Sequence, residues 1–373
     1  LTDNTLLIES ATAYLAAFFI TVATTPLVRK FALRWKLGDK PNGRKIHTHL
    51  IPHLGGVAIV LGTLGGLAAV SAAAGGQEWW RLFQKMMPAV ALIVVLGMVD
   101  DMKSLRAIQK LTIQVLVALV LAVSGFVLFT GIPAVDGVSA VALLLSVLFL
   151  VGISSSVNLI DGHDGLATGV CLIAAAAFAV MAAAFQAEMV LAVSLALCGA
   201  CLGFLLFNFP PGKIFMGDTG SMFLGIMLAL VACSLTSANP TVRTFVAICF
   251  VLGIPMLDAF LAIARRLILH SPIFKADCLH MHHVLRELSF TPRQILFVMY
   301  SMQLFLTVLG LLVVKGFVFP IVVGAAFVVI VFVSFLRVMV VSDAGAPASP
   351  KLASNSIPPL KNDVPRQKAS VGR

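Results

Sequence analysis

Residues 138–167 read VSAVALLLSVLFLVGISSSVNLIDGHDGLA, and the two parts of this stretch suit different solvents. From 138 to 157 there is no charged residue. A helix of that length rises 1.5 Å per residue and spans about 30 Å, the thickness of a bilayer's hydrocarbon core. Immediately afterwards, Asn158, Asp161, His163 and Asp164 crowd into a glycine-punctuated turn. The fold is therefore read as spanning helices with chemistry at their ends.

Working outward, similar apolar windows lie near 6–28, 53–74, 86–99, 108–130, 166–185, 188–207, 220–237, 244–264, 295–314 and 317–338. With 138–157 they make about eleven crossings. Composition agrees: 60% of the 373 residues are hydrophobic and 11% are charged, against about 25% charged in soluble proteins. The expectation is an all-α, polytopic integral membrane protein with a transmembrane catalytic domain over 1–341. Residues 342–373, rich in Pro, Ser and scattered charge, read as a disordered cytoplasmic tail. The first apolar run is too long for a signal-peptide core, and its basic cluster follows it, so it reads as a retained span. Cys171, Cys198, Cys201, Cys233 and Cys249 sit inside apolar runs and read as small buried hydrophobes, including the C-x-x-C pair Cys198 and Cys201.

The net charge of +10 is distributed by side. Of the 26 Lys and Arg, only Arg81, Lys85, Arg243 and Lys315 fall on one set of alternate loops. The basic-rich side is cytoplasmic by the positive-inside rule, which places the N-terminus outside and the tail inside. The surplus is chiefly a topology signal, and nucleic acid is not expected as a partner. All eight histidines and most acids also fall at the basic-rich side. Ionisable groups near membrane depth are costly and usually functional, so the active site is expected at the cytoplasmic face.

Four segments there carry chemistry. Asp100-Asp101 ends a span and is followed by Lys103, Arg106, Lys110 and Gln114, of which the last three share a helix face directed at the acid pair. Paired carboxylates beside cations suit a metal–phosphate site or a general base. In Asn158–Ala167 the glycines permit close backbone approach, and Asp161, Asp164 and Asn158 offer hard oxygen ligands. Asn208–Ser221, NFPPGKIFMGDTGS, has the layout of a phosphate cradle. Lys213 precedes a Gly-Asp-Thr-Gly-Ser helix start, whose N-terminus favours anions while Asp218 is placed to hold a divalent ion. The Walker order is absent. Last, Asp277, His280, His282 and His283 suit phosphate contact or acid–base work better than zinc, because the companion segments offer hard oxygen donors.

Taken together with Asp39-Lys40-Pro41-Asn42, Arg44-Lys45, His47, Ile51-Pro52 and Gly55-Gly56, these motifs resemble the polyprenyl-phosphate N-acetylhexosamine-1-phosphate transferase superfamily, of glycosyltransferase family 4 type. Within it they are most similar to the bacterial undecaprenyl-phosphate N-acetylglucosamine 1-phosphate transferases. The resemblance implies a multi-pass enzyme of the bacterial inner membrane. It would use Mg²⁺, with Mn²⁺ as a substitute, to transfer a sugar 1-phosphate from a UDP-N-acetylhexosamine to undecaprenyl phosphate, releasing UMP and initiating a cell-envelope polysaccharide. By the same resemblance Asp218 and Asn158 hold the metal, Asp161 or Asp164 lies beside metal and nucleotide, and Lys110 lies near the diphosphate. Asp100 serves as base with Asp101 beside it, and His280, His282 and His283 face phosphate. Lys45, His47, Lys103, Asn208 and Lys213 complete the substrate-binding set, and a homodimer is compatible. His163 departs from the family's usual apolar residue, and Pro211-Gly212-Lys213 from its usual Pro-Ala-Lys.

Two other classes compete. A secondary transporter would place polar groups at the bilayer midplane between two related halves, whereas here they crowd one surface and no repeat relates 1–180 to 181–340. A non-catalytic scaffold for lipid phosphate would bind without turnover.

Overall fold

In hydrocarbon the helix is the only single-segment structure that satisfies every backbone group internally, so apolar runs of about twenty residues have one outcome. The computed structural model describes residues 3–39, 51–74, 77–128, 140–270 and 280–345. The elements are α1 (Asp3–Arg34), α2 (Gly55–Ala74), α3 (Gln77–Lys103), α4 (Ala107–Val123), α5 (Ala140–Ile160), α6 (Leu166–Ala184), α7 (Glu188–Asn208), α8 (Gly217–Ala238), α9 (Val242–Val251), α10 (Gly253–Ile268), α11 (Met281–Glu287), α12 (Pro292–Val314) and α13 (Phe319–Gly345). A two-residue antiparallel ladder, β1 (Gly38–Asp39) with β2 (Ile51–Pro52), is the sole β pairing among the described residues.

Nine of these helices are long and apolar enough to cross a membrane. Counting the pair α9–α10, bent by 76°, as one broken span makes ten among the described residues; the 17-residue α4, at the window 108–130, falls short of that length, so the about eleven crossings read from sequence become nine or ten. Boundaries shift where helical hydrogen bonding continues past the apolar stretch. Thus α3 begins at Gln77, adding an exposed turn with Glu78 and Arg81, and runs through Asp100-Asp101 to Lys103. Likewise α13 continues to Gly345, beyond the 341 boundary, and the tail from 346 onward lies outside the described residues.

Helix α8 is the central element: 83% of its most apolar window is buried, against 11% for α13. It packs against α3, α5 and α6, while α1, α2 and α7 pack with one another beside it. Large apolar side chains such as Phe19, Leu144, Phe297 and Ile330 remain exposed on the outside of the bundle, where lipid tails would cover them.

The bend between α9 and α10 frees backbone groups that hydrocarbon cannot solvate. Buried Gln303 of α12 meets them: its Nε2 donates to the Val251 carbonyl at 2.6 Å, and its Oε1 accepts from the Ile254 N–H at 3.3 Å. A second link forms at the motif-bearing end, where the chain entering α2 lies along the loop before α8. There the Gly55 N–H donates to Phe215 O at 3.0 Å, Gly56 N–H to Met216 O at 2.7 Å, and Phe215 N–H to Pro52 O at 3.0 Å.

Candidate active site

Three helix ends meet at the Asp100-Asp101 pair. Asp101 does not face an open pocket. Its Oδ1 accepts from the Asp218 N–H at 2.7 Å, and its Oδ2 from the Thr219 N–H at 3.2 Å and the Thr219 hydroxyl at 2.6 Å. The anion that the N-terminus of α8 was expected to attract is therefore this carboxylate, which satisfies otherwise orphaned donors of the first turn. The approach requires glycine at position 217. Its φ is +73°, and a Cβ there would lie 2.6 Å from Asp101 Oδ1.

Asp100, 3% exposed, turns the other way. Its Oδ1 accepts from the Leu105 N–H at 2.6 Å, and its Oδ2 meets Lys110 Nζ. The same ammonium donates to Asp218 Oδ2 at 2.9 Å, so Lys110 bridges two carboxylates from α3 and α8. Asn158 lies within hydrogen-bonding reach of Asp218. Of the three residues expected on one face of α4, only Lys110 is directed at the acids. Arg106 is the exposed N-cap, and buried Gln114 bonds Ser154 and Ser155 of α5.

The Asn158–Ala167 turn contributes an unsatisfied group. Asp161 has no side-chain hydrogen bond among the described residues. Burial, joined by the carboxylates of Asp218, Asp101 and Asp164, pushes its carboxyl well above the usual acid range. Asp164 instead accepts from the Gly212 N–H at 2.9 Å. Asn208, 3% exposed, spends its amide internally: Oδ1 accepts from the Gly165 N–H at 2.9 Å and the Thr168 hydroxyl at 3.1 Å, and Nδ2 donates to Ile214 O at 2.9 Å. Both side chains thus tie the acidic turn to the loop before α8. Lys213 and Lys103 are exposed on the same end, outside the carboxylate cluster. Lys45, His47 and Asp277 lie outside the described residues.

The histidines assemble on the other side of the acidic turn. The helix α11 begins at Met281, and His280 is its N-cap. His283 Nδ1 accepts from the His280 N–H at 3.4 Å. His282 is 4% exposed, and neither of its ring nitrogens has a partner among the described residues. Its ring centroid lies 4.0 Å from that of His283, 6.0 Å from His280 and 6.3 Å from His163. Burial, with the neighbouring imidazoles, pushes its pKa down to about 2, so it is neutral and free to donate or accept one bond. Gly162 makes room for it, since a Cβ there would lie 2.6 Å from His282 Nε2. His163 Nε2 donates to Pro292 O at 3.1 Å, and Tyr300 donates to Gly165 O at 2.5 Å, which fastens the acidic turn to α12.

The donor set suits a hard divalent ion such as Mg²⁺. Among the described residues Asp161 is an unpartnered carboxyl crowded by three others, an arrangement that a cation would relieve. Among the described residues no group of three or more His, Cys, Asp or Glu is arranged to hold an ion by itself. Mg²⁺ characteristically uses one or two carboxylates and completes its shell with substrate phosphates and water. A cavity of about 400 Å³ elsewhere, lined by Glu78, Arg81, Lys85, Ser124, Leu230 and Ser237 among others, is at the opposite ends of α3 and α8 from this chemistry.

Fold and site together define the class, an integral membrane enzyme whose polar machinery sits at one end of its helix bundle. Comparison with known proteins narrows it. Residues 83–236 match glycosyl transferase family 4. The chain is 32% identical over 337 residues to a probable undecaprenyl-phosphate N-acetylglucosaminyl 1-phosphate transferase of Bacillus subtilis, covering 89% of this chain and 92% of that protein. It is 34% identical over 323 residues to the decaprenyl-phosphate N-acetylglucosaminephosphotransferase of Mycobacterium tuberculosis, covering 78% and 79% respectively. It is also 32% identical over 331 residues to the phospho-N-acetylmuramoyl-pentapeptide-transferase of Desulforudis audaxviator, covering 80% and 96%. The chain belongs to glycosyl transferase family 4, and it is a membrane-embedded transferase.

Proposed function

We propose that the protein transfers N-acetylglucosamine 1-phosphate, or a related N-acetylhexosamine 1-phosphate, from a UDP-sugar to undecaprenyl phosphate. An oxygen of the lipid phosphate attacks the sugar-bearing phosphorus of the donor. The bond from that phosphorus to the bridging oxygen breaks, and UMP leaves with the electron pair. The product is undecaprenyl-diphosphate sugar, the first lipid-linked intermediate of a cell-envelope polysaccharide. The site would lie at the cytoplasmic face of the bacterial inner membrane, with the N-terminus outside, in keeping with the asymmetry of Lys and Arg.

The observation that carries this reading is the convergence of Asp100, Lys110, Asp161 and Asp218 at one end of the helix bundle. Two anionic substrates repel each other, and their meeting requires positive charge fixed in advance. Lys110 is one such charge. Mg²⁺, held by Asp218 and Asp161 with Asn158 beside them, would supply Lewis-acid stabilisation of the phosphoryl oxygens. Asp100 is held by Leu105 and Lys110 in a buried position suited to orient the lipid phosphate or to accept its last proton. Neutral His282 has a free nitrogen for a phosphate or sugar oxygen. Asp101, Asp164 and Asn208 keep the loops that bear these groups in register.

The test is incubation of the purified protein with undecaprenyl phosphate, Mg²⁺ and each of a panel of UDP-N-acetylhexosamines, measuring UMP. Release with at least one donor, abolished by EDTA and restored by Mg²⁺, is expected. No UMP with any donor refutes the reading, and solute movement across vesicles without UMP would favour a transporter.

A further inference from the structure

Among the described residues the proposed reaction leaves one buried acid unused. Asp258 of α10 is 1% exposed, and an unpaired acid in such a place would be costly. Both of its oxygens are directed at α11. Oδ2 lies 2.8 Å from His280 Nδ1, and Oδ1 accepts from the Met281 N–H at 2.7 Å. Met281 is the first residue of α11, so this N–H is one of the helix's orphan donors. A single carboxylate thus fixes both the ring of His280 and the start of the helix that bears His282 and His283.

Its placement follows from the broken span. Without the bend at Leu252, a continuous helix would carry residue 258 along a different axis. Gln303 holds the bend by bonding Val251 O and the Ile254 N–H, one on each side of it. The tautomers then follow in sequence. Asp258 accepts the Nδ1 proton of His280, leaving Nε2 as the outward nitrogen. His283 Nδ1 accepts from the His280 N–H.

We infer that Asp258 is a positioning residue of the transferase, orienting His280 and through it the His280-Met281-His282-His283 element toward substrate phosphate. This rests on the function proposed above. A carboxylate behind an imidazole sets which nitrogen faces the ligand, and behind metal-bound histidines the loss of such a partner characteristically costs about 10–100-fold.

The experiment is a double-mutant cycle on UMP release with D258N, H280Q and the double variant, alongside apparent thermal stability. D258N is expected to lower kcat/KM by about 10–100-fold, chiefly through kcat. In the H280Q background it should cost less than about threefold, because its partner is gone. An equal cost in both backgrounds, or activity of D258N within threefold of the unmodified protein, overturns the inference. If D258N does not fold, ¹⁵N-histidine NMR of the unmodified protein, with H280Q to assign the signal, decides it. An Nδ1–H tautomer of His280 supports the pairing and an Nε2–H tautomer overturns it. That spectrum needs no substrate, so a protein that releases no UMP refutes the proposed function separately from the Asp258–His280 pairing.

Discussion

Gly217→Ala probes the junction on which the carboxylate cluster depends. Two costs add. The residue holds φ at +73°, a left-handed conformation that costs a residue with a Cβ about 1–2 kcal/mol. The new methyl would also lie 2.6 Å from Asp101 Oδ1 and 2.8 Å from its Oδ2, and these atoms cannot withdraw without loosening the cap on α8. Losing a helix cap costs about 1 kcal/mol, with a range of about 0.5–2. The sum is about 1.5–4 kcal/mol, which at about 2.1 cal/mol/K of unfolding entropy per residue over 373 residues lowers the apparent Tm by roughly 2–5 °C. Because Asp218 is the next residue, its carboxylate moves with the first turn, and UMP release should fall more than about tenfold. Gly152→Ala is the internal control. A Cβ there meets nothing within 4 Å, so that variant should be neutral or slightly stabilised. Differential scanning fluorimetry in detergent, paired with the UMP assay, reads both quantities. If Gly217→Ala matches Gly152→Ala in Tm and activity, the account of Asp101 as the cap of α8 is wrong.

Lys110→Met leaves Asp100 and Asp218 facing each other without their shared cation, and turnover should drop by at least about 10²-fold with KM for the donor rising, measured in the same assay. Asn208→Ala removes three internal hydrogen bonds and strands buried partners. We expect a loss of roughly 3 kcal/mol of stability and a protein whose residual activity decays on mild warming. His282 stays neutral when folded down to about pH 2, while the unfolded chain takes up its proton below about pH 6.5. The unfolded state therefore binds more protons between those values, and stability falls as the pH drops below 6.5, by about 2 kcal/mol at pH 5. His282→Gln should flatten that acid-side slope in pH-dependent melting, and an unchanged slope would show that the imidazole is not held neutral.

Much of the architecture could be read from residue type alone, because a bilayer allows few solutions for an apolar run. The windows around 138–157, 166–185 and 188–207 became α5, α6 and α7 nearly residue for residue. Window 244–264 reads as one span, yet it is broken at Leu252–Gly253, since the group that makes the break tolerable is Gln303, some fifty residues away in sequence. At the site, Asp100, Asp218 and Lys110 were recognisable as acids and a cation near one membrane face. Asp101 and Asp164 carried the same signals and turned out to bond backbone N–H groups, a distinction no local pattern contains. Asp258 sits inside an apolar helix with no motif around it, so no local pattern marks it as a site residue. Its only advance signal was an acid within a spanning segment, itself reason to seek a partner.

The sequence by itself determined the solvent of each segment, the side on which charge collects and the set of residue types available for phosphate and metal chemistry. Those properties follow from composition and length, which act one segment at a time. The tertiary structure decided which carboxylates remain open to a ligand and which are consumed in holding helices together. It also decided which histidine ring is paired with a carboxylate and which is left without a partner among the described residues. Those outcomes depend on hydrogen bonds between residues as far apart as Asp101 and Thr219, and a buried polar group's role is set by whether a partner already occupies it.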